Sequence, residues 1–197
     1  MSRRKATATM RNFLLAVVFI GAVGCDDGGN GEMFPDPAFK ACVEETLQDY
    51  YNNDLIDPND PDKYSKVKMI GCGAGTIRDI RGIGNMPNVD WVGMSDNQIE
   101  SLEPLRTLTK LTNLKLNNNK IKDLEPLSGL TELNALYLMD NYLTDLSPLY
   151  SCKKITALSV NGNCITDEQQ FSDIKAQLPN AGISGDSLAA QTPEKCQ

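Results

Sequence analysis

Between Val89 and Asn163 one pattern of apolar residues returns every 22 positions, and each return closes on the same amide: Asn97, Asn119, Asn141 and Asn163. Around Asn119 the apolar slots hold Leu111, Leu114, Leu116, Ile121, Leu124, Leu127 and Leu130, with Pro126 among them. One period earlier they hold Val89, Val92, Met94, Ile99, Leu102, Leu105 and Leu108, with Pro104. One period later they hold Leu133, Leu136, Leu138, Leu143, Leu146, Leu149 and Cys152, with Pro148. A unit this short is too small to bury its own apolar face, so the units must stack and share one core. Shifting backward finds a degenerate unit at Val67, Ile70, Cys72, Ile77, Ile80, Ile83 and Met86, with Gly75 in the amide slot. Shifting forward finds Ile155, Leu158, Val160 and Ile165. The period predicts about five turns over residues 66–167.

Within a turn, the alternation Leu114, Lys115, Leu116 reads as a short strand, with the leucines inward and Asn113, Lys115 and Asn117 outward. Units in register pair these strands in parallel, and full burial of each inward side chain contributes about 1.5 to 3 kcal/mol. Where the chain bends off the strand its backbone leaves the ladder, and a side chain carrying both donor and acceptor is needed to satisfy it. The asparagine series meets that need as a structural amide ladder. Asp79, Asp123, Asp145 and Asp167 recur in a second slot and read as turn-stabilising acids on the outer path. This pattern resembles the leucine-rich repeat, which implies an α/β right-handed solenoid with a short parallel sheet on its concave face.

The ends of a stacked core need covering. Asp36 fits a helix cap, Pro37 a first helical turn, and Phe39, Cys42, Val43, Leu47 and Tyr50 recur on one helical face, so residues 34–65 are expected to form a helical N-terminal cap and loop. The run Phe34, Pro35, Asp36, Pro37, Ala38, Phe39 resembles the start of the N-terminal cap of the internalin family. With the repeats, that resemblance covers residues 33–167 and implies a module that binds proteins. At the far end, Thr166 and Gln169 fit a capping box, and Phe171, Ile174 and Leu178 share a helical face that Pro179 ends. A C-terminal helical cap and tail are expected at 168–197.

Residues 1–24 open with Arg3, Arg4, Lys5 and Arg11, continue in the apolar run Phe13 to Ile20 and finish in small residues, which reads as an export signal too short to span a bilayer. Ala22, Val23, Gly24 and Cys25 resemble the bacterial lipobox, which implies cleavage before Cys25 and lipid attachment to it. The acidic, Gly-rich stretch 25–33 is then a flexible tether. The expected location is the bacterial cell envelope, with the lipid as the only membrane contact. The formal charge is −7, and loss of the four signal cations makes it more negative. Such a surface repels nucleic acid, whose binding rests on phosphate neutralisation.

Export favours disulfides, and of the six cysteines five lie beyond Cys25. Cys42 on the cap helix and Cys72 in the first strand could meet across the cap junction. Cys164 with Cys196 would tie down the tail, leaving Cys152 in a leucine slot. Asp57, Asn59, Asp60 and Asp62 crowd into one loop and invite a calcium reading. Their spacing lacks the glycine and closing glutamate of an EF-hand, so solvated turns are the stronger reading and no metal site is assigned.

Outward slots of a solenoid are free of packing duty, and function is sought there. They hold Met69, Trp91, Asn113, Ala135 and Ala157 in one row, Gly71, Gly93, Lys115, Tyr137 and Ser159 in the next, and Gly73, Ser95, Asn117, Met139 and Asn161 in a third. The candidate partner-binding residues are Trp91, Asn113, Lys115, Asn117, Tyr137, Met139 and Ser159, because aromatic and large side chains on a rigid sheet make interface hot spots. Trp91 has a competing packing role over Gly71 and Gly93. Histidine is absent, and Ser95 with Lys115 is the one conceivable catalytic pair. No nucleophile–base–orienter set accompanies it, so no enzyme, catalytic residue or cofactor is expected. The expected function is a monomeric module binding another protein through its concave face. The alternative is a glycan or peptidoglycan binder, with Trp91 and Tyr137 as stacking platforms and Asn113, Asn117 and Asn161 as polar readers.

Overall fold

Each repeat contributes one three-residue strand. They are β1 (Met69–Gly71), β2 (Trp91–Gly93), β3 (Asn113–Lys115), β4 (Ala135–Tyr137) and β5 (Ala157–Ser159), side by side in chain order and all parallel. The computed structural model describes residues 33–196. Register follows the period, with Ile70 beside Val92, Leu114, Leu136 and Leu158 in turn. On the opposite wall short 3-10 turns at Ile83–Asn85, Glu103–Leu105, Glu125–Leu127 and Ser147–Ser151 return the chain. Pro104, Pro126 and Pro148 sit at the start of three of these, where a missing N–H costs nothing. Between the walls Leu111, Leu114, Leu116, Leu127 and their equivalents form one continuous buried core.

Five strands were expected, and among the described residues the sheet has six. β6 (Gly182–Ser184) extends the sheet beyond β5, pairing Ala157 with Gly182. The step is longer than one period because helix α2 (Gln169–Gln177) replaces the 3-10 turn on the outer wall, burying Phe171 and Ile174. The C-terminal region is therefore a further turn of the solenoid that carries the expected helix. Its first amide, Gln169 N, donates to the Asp167 carboxylate at 2.9 Å. The recurrent acid starts this helix, where Thr166 was expected to.

At the other end helix α1 (Pro37–Asn52) packs on β1 and buries Phe39, Cys42, Val43 and Leu47. In the inner turns one carbonyl accepts two successive amides of the next turn: Asp90 O takes Thr112 N at 2.9 Å and Asn113 N at 3.1 Å. The first turn has no predecessor, and the Tyr50 hydroxyl substitutes, accepting Lys68 N at 2.9 Å and Met69 N at 3.1 Å. The Cys42–Cys72 disulfide bolts α1 to the end of β1, with Cα atoms 5.5 Å apart. Cys164 and Cys196 are also bonded, Cα to Cα 5.9 Å, and Cys152 is free and buried, as the sequence suggested. The expected signal segment, Cys25 and nearly all of the expected tether lie outside the described residues. Among the described residues no helix is long and apolar enough to cross a membrane.

Asp36 joins the cap to the first repeat. One carboxylate oxygen accepts from Ala38 N and Phe39 N at 2.9 and 3.0 Å, and the other from Arg78 N and Asp79 N at 2.8 and 3.1 Å. Burial alone would raise its pKa, yet the four amides outweigh it and hold the carboxyl below its ordinary 3.8. A group depressed on folding contributes stability that is complete above its unfolded pKa and disappears as pH falls through the folded one. Asp36→Asn keeps an acceptor for the helix and loses the second anionic oxygen. We expect it to cost about 1.5 to 3 kcal/mol at neutral pH. Its urea midpoint should converge on the wild-type value in strongly acidic buffer, and parallel curves at every pH would contradict this account.

Candidate functional site: the concave sheet face

The asparagines form the expected ladder. Asn141 is fully buried; its Oδ1 accepts from Ile121 N at 3.1 Å, and its Nδ2 faces Leu116 O at 2.9 Å with Leu138 O and Met139 O each at 3.2 Å. Asn119 and Asn163 repeat this pattern, bonding Ile99 N and Leu143 N, and Asn97 serves Ile77 N and Gly73 O. The residue before each ladder amide adopts a left-handed backbone: Asp96 (φ 60°), Asn118 (φ 54°), Asp140 (φ 54°) and Gly162 (φ 66°). Asp, Asn and Gly tolerate this conformation best, so the exposed Asp96 and Asp140 beside the concave face answer first to the backbone. Asp79, Asp123 and Asp145 accept from the amide two residues on at 2.8 Å, in the turn-stabilising role expected.

The acidic loop is committed in the same way. Asp57 accepts from Asn59 N and Asp60 from Asp62 N, at 2.9 and 2.8 Å, while Asp60 also pairs with Lys66. Among the described residues no group of acids and cysteines is arranged to hold a metal ion.

On the concave face the register aligns Met69, Trp91, Asn113, Ala135 and Ala157 in one row and Gly71, Gly93, Lys115, Tyr137 and Ser159 in the next. The candidates do not share one status. Lys115 is exposed, Tyr137 is 38% exposed, and Met139 is half-buried. Ser159 is only 7% exposed, with its hydroxyl 3.3 Å from Asn161 Oδ1, so it leaves the displayed set. Asn117 Oδ1 accepts from Met139 N at 2.9 Å, and Asn113 Nδ2 donates to the Thr112 hydroxyl at 2.8 Å; both carry structural bonds. Met69, 48% exposed, stands on the first strand and was not singled out by sequence.

Trp91 has the packing role considered for it. A Cβ at Gly93 would collide with the indole benzo ring, and one at Gly71 would sit 3.2 Å from it. The ring lies along the glycine strip of turns one and two, half-buried, with no room for any side chain beneath it. The Ser95 hydroxyl is buried with no hydrogen-bond partner, so it is not bonded to Lys115 and the Ser–Lys pair is not assembled. The lysine and serine therefore lack the nucleophile–base hydrogen bond that such chemistry requires.

A sheet of parallel three-residue strands, with an inward amide in four successive turns and one displayed face, defines a repeat solenoid of the leucine-rich class. A sequence profile described as leucine-rich repeat matches residues 66–179, more than half of the chain. The chain belongs to the leucine-rich repeat family. No curated protein sequence matches it significantly. Among solved structures it is similar to an internalin of Listeria monocytogenes, with a TM-score of 0.62 and 24% identity over 76% of this chain and 48% of that one. Internalin C2 of the same organism gives a TM-score of 0.54 and 26% identity over 77% and 74% of the two chains. A leucine-rich repeat protein of Leptospira interrogans gives 0.58 and 23%, over 66% and 34%. The chain thus spans about half of the first of these proteins.

Proposed function

We propose that this chain is an exported, lipid-anchored module that binds another protein through its concave face. One observation carries the reading: the fold and the amide ladder are satisfied without Lys115 and Tyr137, which nevertheless stand exposed side by side on adjacent strands. A rigid sheet holds such side chains at little entropic cost, and an aromatic with a long flexible cation beside it suits a protein interface. Membership of the leucine-rich repeat family, with its internalin-like neighbours, supports a binding role. Trp91 and Met69 extend the face as an apolar floor. Anchoring at Cys25 would keep the folded module near its membrane.

Tyr137→Ala combined with Lys115→Ala should lower capture of the envelope partner at least tenfold in crosslinking pull-downs, with the melting temperature unchanged. Undiminished capture would refute the concave-face assignment. Saturable binding to purified cell-wall glycan, quenching the Trp91 fluorescence, would replace the protein partner by a sugar. For the anchor, a Cys25→Ser protein that still incorporates a labelled lipid precursor would remove that part of the proposal.

A further inference from the structure

The two disulfides are chemically unequal. Cys42 and Cys72 are both buried, at 9% and 7% exposure. Cys164 is buried too, but its partner Cys196 is exposed. Cys196 lies in a C-terminal segment that runs back over the fifth turn. There Gly162 N donates to Ala190 O at 2.7 Å and Thr192 N to Asn163 O at 2.8 Å. Gln191 completes the end of the amide ladder, its Oε1 accepting from Asn163 N at 3.0 Å and its Nε2 donating to Gly185 O at 2.6 Å. From Ser187 to Thr192, Gln191 is the one residue classed as buried, and Leu188 is 40% exposed. The tail is held by polar bonds and one covalent link, with almost no apolar anchor.

We propose that Cys164–Cys196 is a redox latch, opened selectively by a dithiol reductant, whose opening releases the tail from Ser187 onward while the other turns stay folded. A reductant thiolate attacks the exposed Cys196 sulfur, and the Cys164 sulfur leaves as a thiolate and takes up a proton. The second reductant thiolate then attacks the reductant sulfur of the mixed disulfide, and the Cys196 sulfur leaves as a thiolate that takes up a proton. Two electrons pass, the dithiol becomes a disulfide, and Cys164 and Cys196 become thiols. Without the link, a few exchangeable hydrogen bonds must order the whole tail, and its conformational entropy wins. Release strips the acceptor from Asn163 N and the donor from Asn163 O. The damage stays local, because each turn of a solenoid leans only on its neighbours and the buried Cys42–Cys72 bolt sits at the opposite end.

The test is a dithiothreitol titration of the full chain, with alkylation and peptide mapping at each step and amide hydrogen exchange in parallel. Cys164 and Cys196 should be alkylated at a concentration about tenfold lower than Cys42 and Cys72. At that step, exchange at Asn163 should accelerate about tenfold or more, with β2 to β4 unchanged. Cys152, whose thiol burial pushes up in pKa, is the internal control and should stay unmodified. Opening of both disulfides together, or reduction of Cys164–Cys196 without faster exchange, would overturn the latch. Cys164→Ser with Cys196→Ser should show the fast exchange without reductant. If that variant does not fold, the wild-type titration still decides.

Discussion

Asn141→Ala should lose about 3 to 5 kcal/mol of stability, one of the two largest single effects expected in this protein. The substitution leaves Ile121 N without its acceptor and weakens the satisfaction of Leu116 O and Leu138 O, in a place where Asn141 itself has no exposure to water. Each buried polar group left without a partner costs about 1 to 3 kcal/mol, and no solvent reaches this one to replace the amide. Asn141→Asp should fare little better, because a carboxylate cannot donate to the carbonyls. The control is Asn118→Gly. That residue is exposed and left-handed at φ 54°, and glycine preserves the backbone, so the change should stay within about 1 kcal/mol. Urea unfolding followed by circular dichroism separates the cases, and a loss below about 1 kcal/mol for Asn141→Ala would mean that the ladder is dispensable.

Removing the cap bolt is the second. Cys42→Ser with Cys72→Ser deletes a link closing 30 residues of chain, which constrains the unfolded state by about 3 to 4 kcal/mol. The folded cap keeps its other attachments, the Asp36 carboxylate and the Tyr50 hydroxyl, so the protein should still fold but melt earlier. Exchange should rise first in α1 and β1, where the serines leave the helix tied only by those bonds and its apolar face. An unchanged melting temperature would show that the cap is held by packing alone.

The amide ladder and the cap attachments differ in how plainly the residues announce them. The ladder could be read directly from the chain, since Asn97, Asn119, Asn141 and Asn163 share one spacing and the chemistry of a bent, buried backbone demands an amide there. Asp79, Asp123 and Asp145 were legible for the same reason, each serving an amide two residues away. Tyr50 was legible only as an apolar position on a helix face. Its hydroxyl role depends on where β1 ends up, 18 residues away in sequence. Gln191 carried no signal, because the amide it supplies falls outside the period. β6 was hidden by the same break, since α2 lengthens the step from Ala157 to Gly182.

That this chain stacks turns, which residues face the core and which face is left to display were all legible in its residues. Those properties repeat with the unit, and a repeat can be counted. What the displayed residues are free to do depends on how the stacked turns meet. Ser159 is buried, Asn117 is engaged by Met139 N, and Trp91 is laid along the strip left by Gly71 and Gly93, while Tyr137 and Lys115 stand clear. The physical reason is that exposure on a sheet is set by the side chains of the neighbouring strands. Here those neighbours lie one whole turn away, and they differ from turn to turn where the core does not.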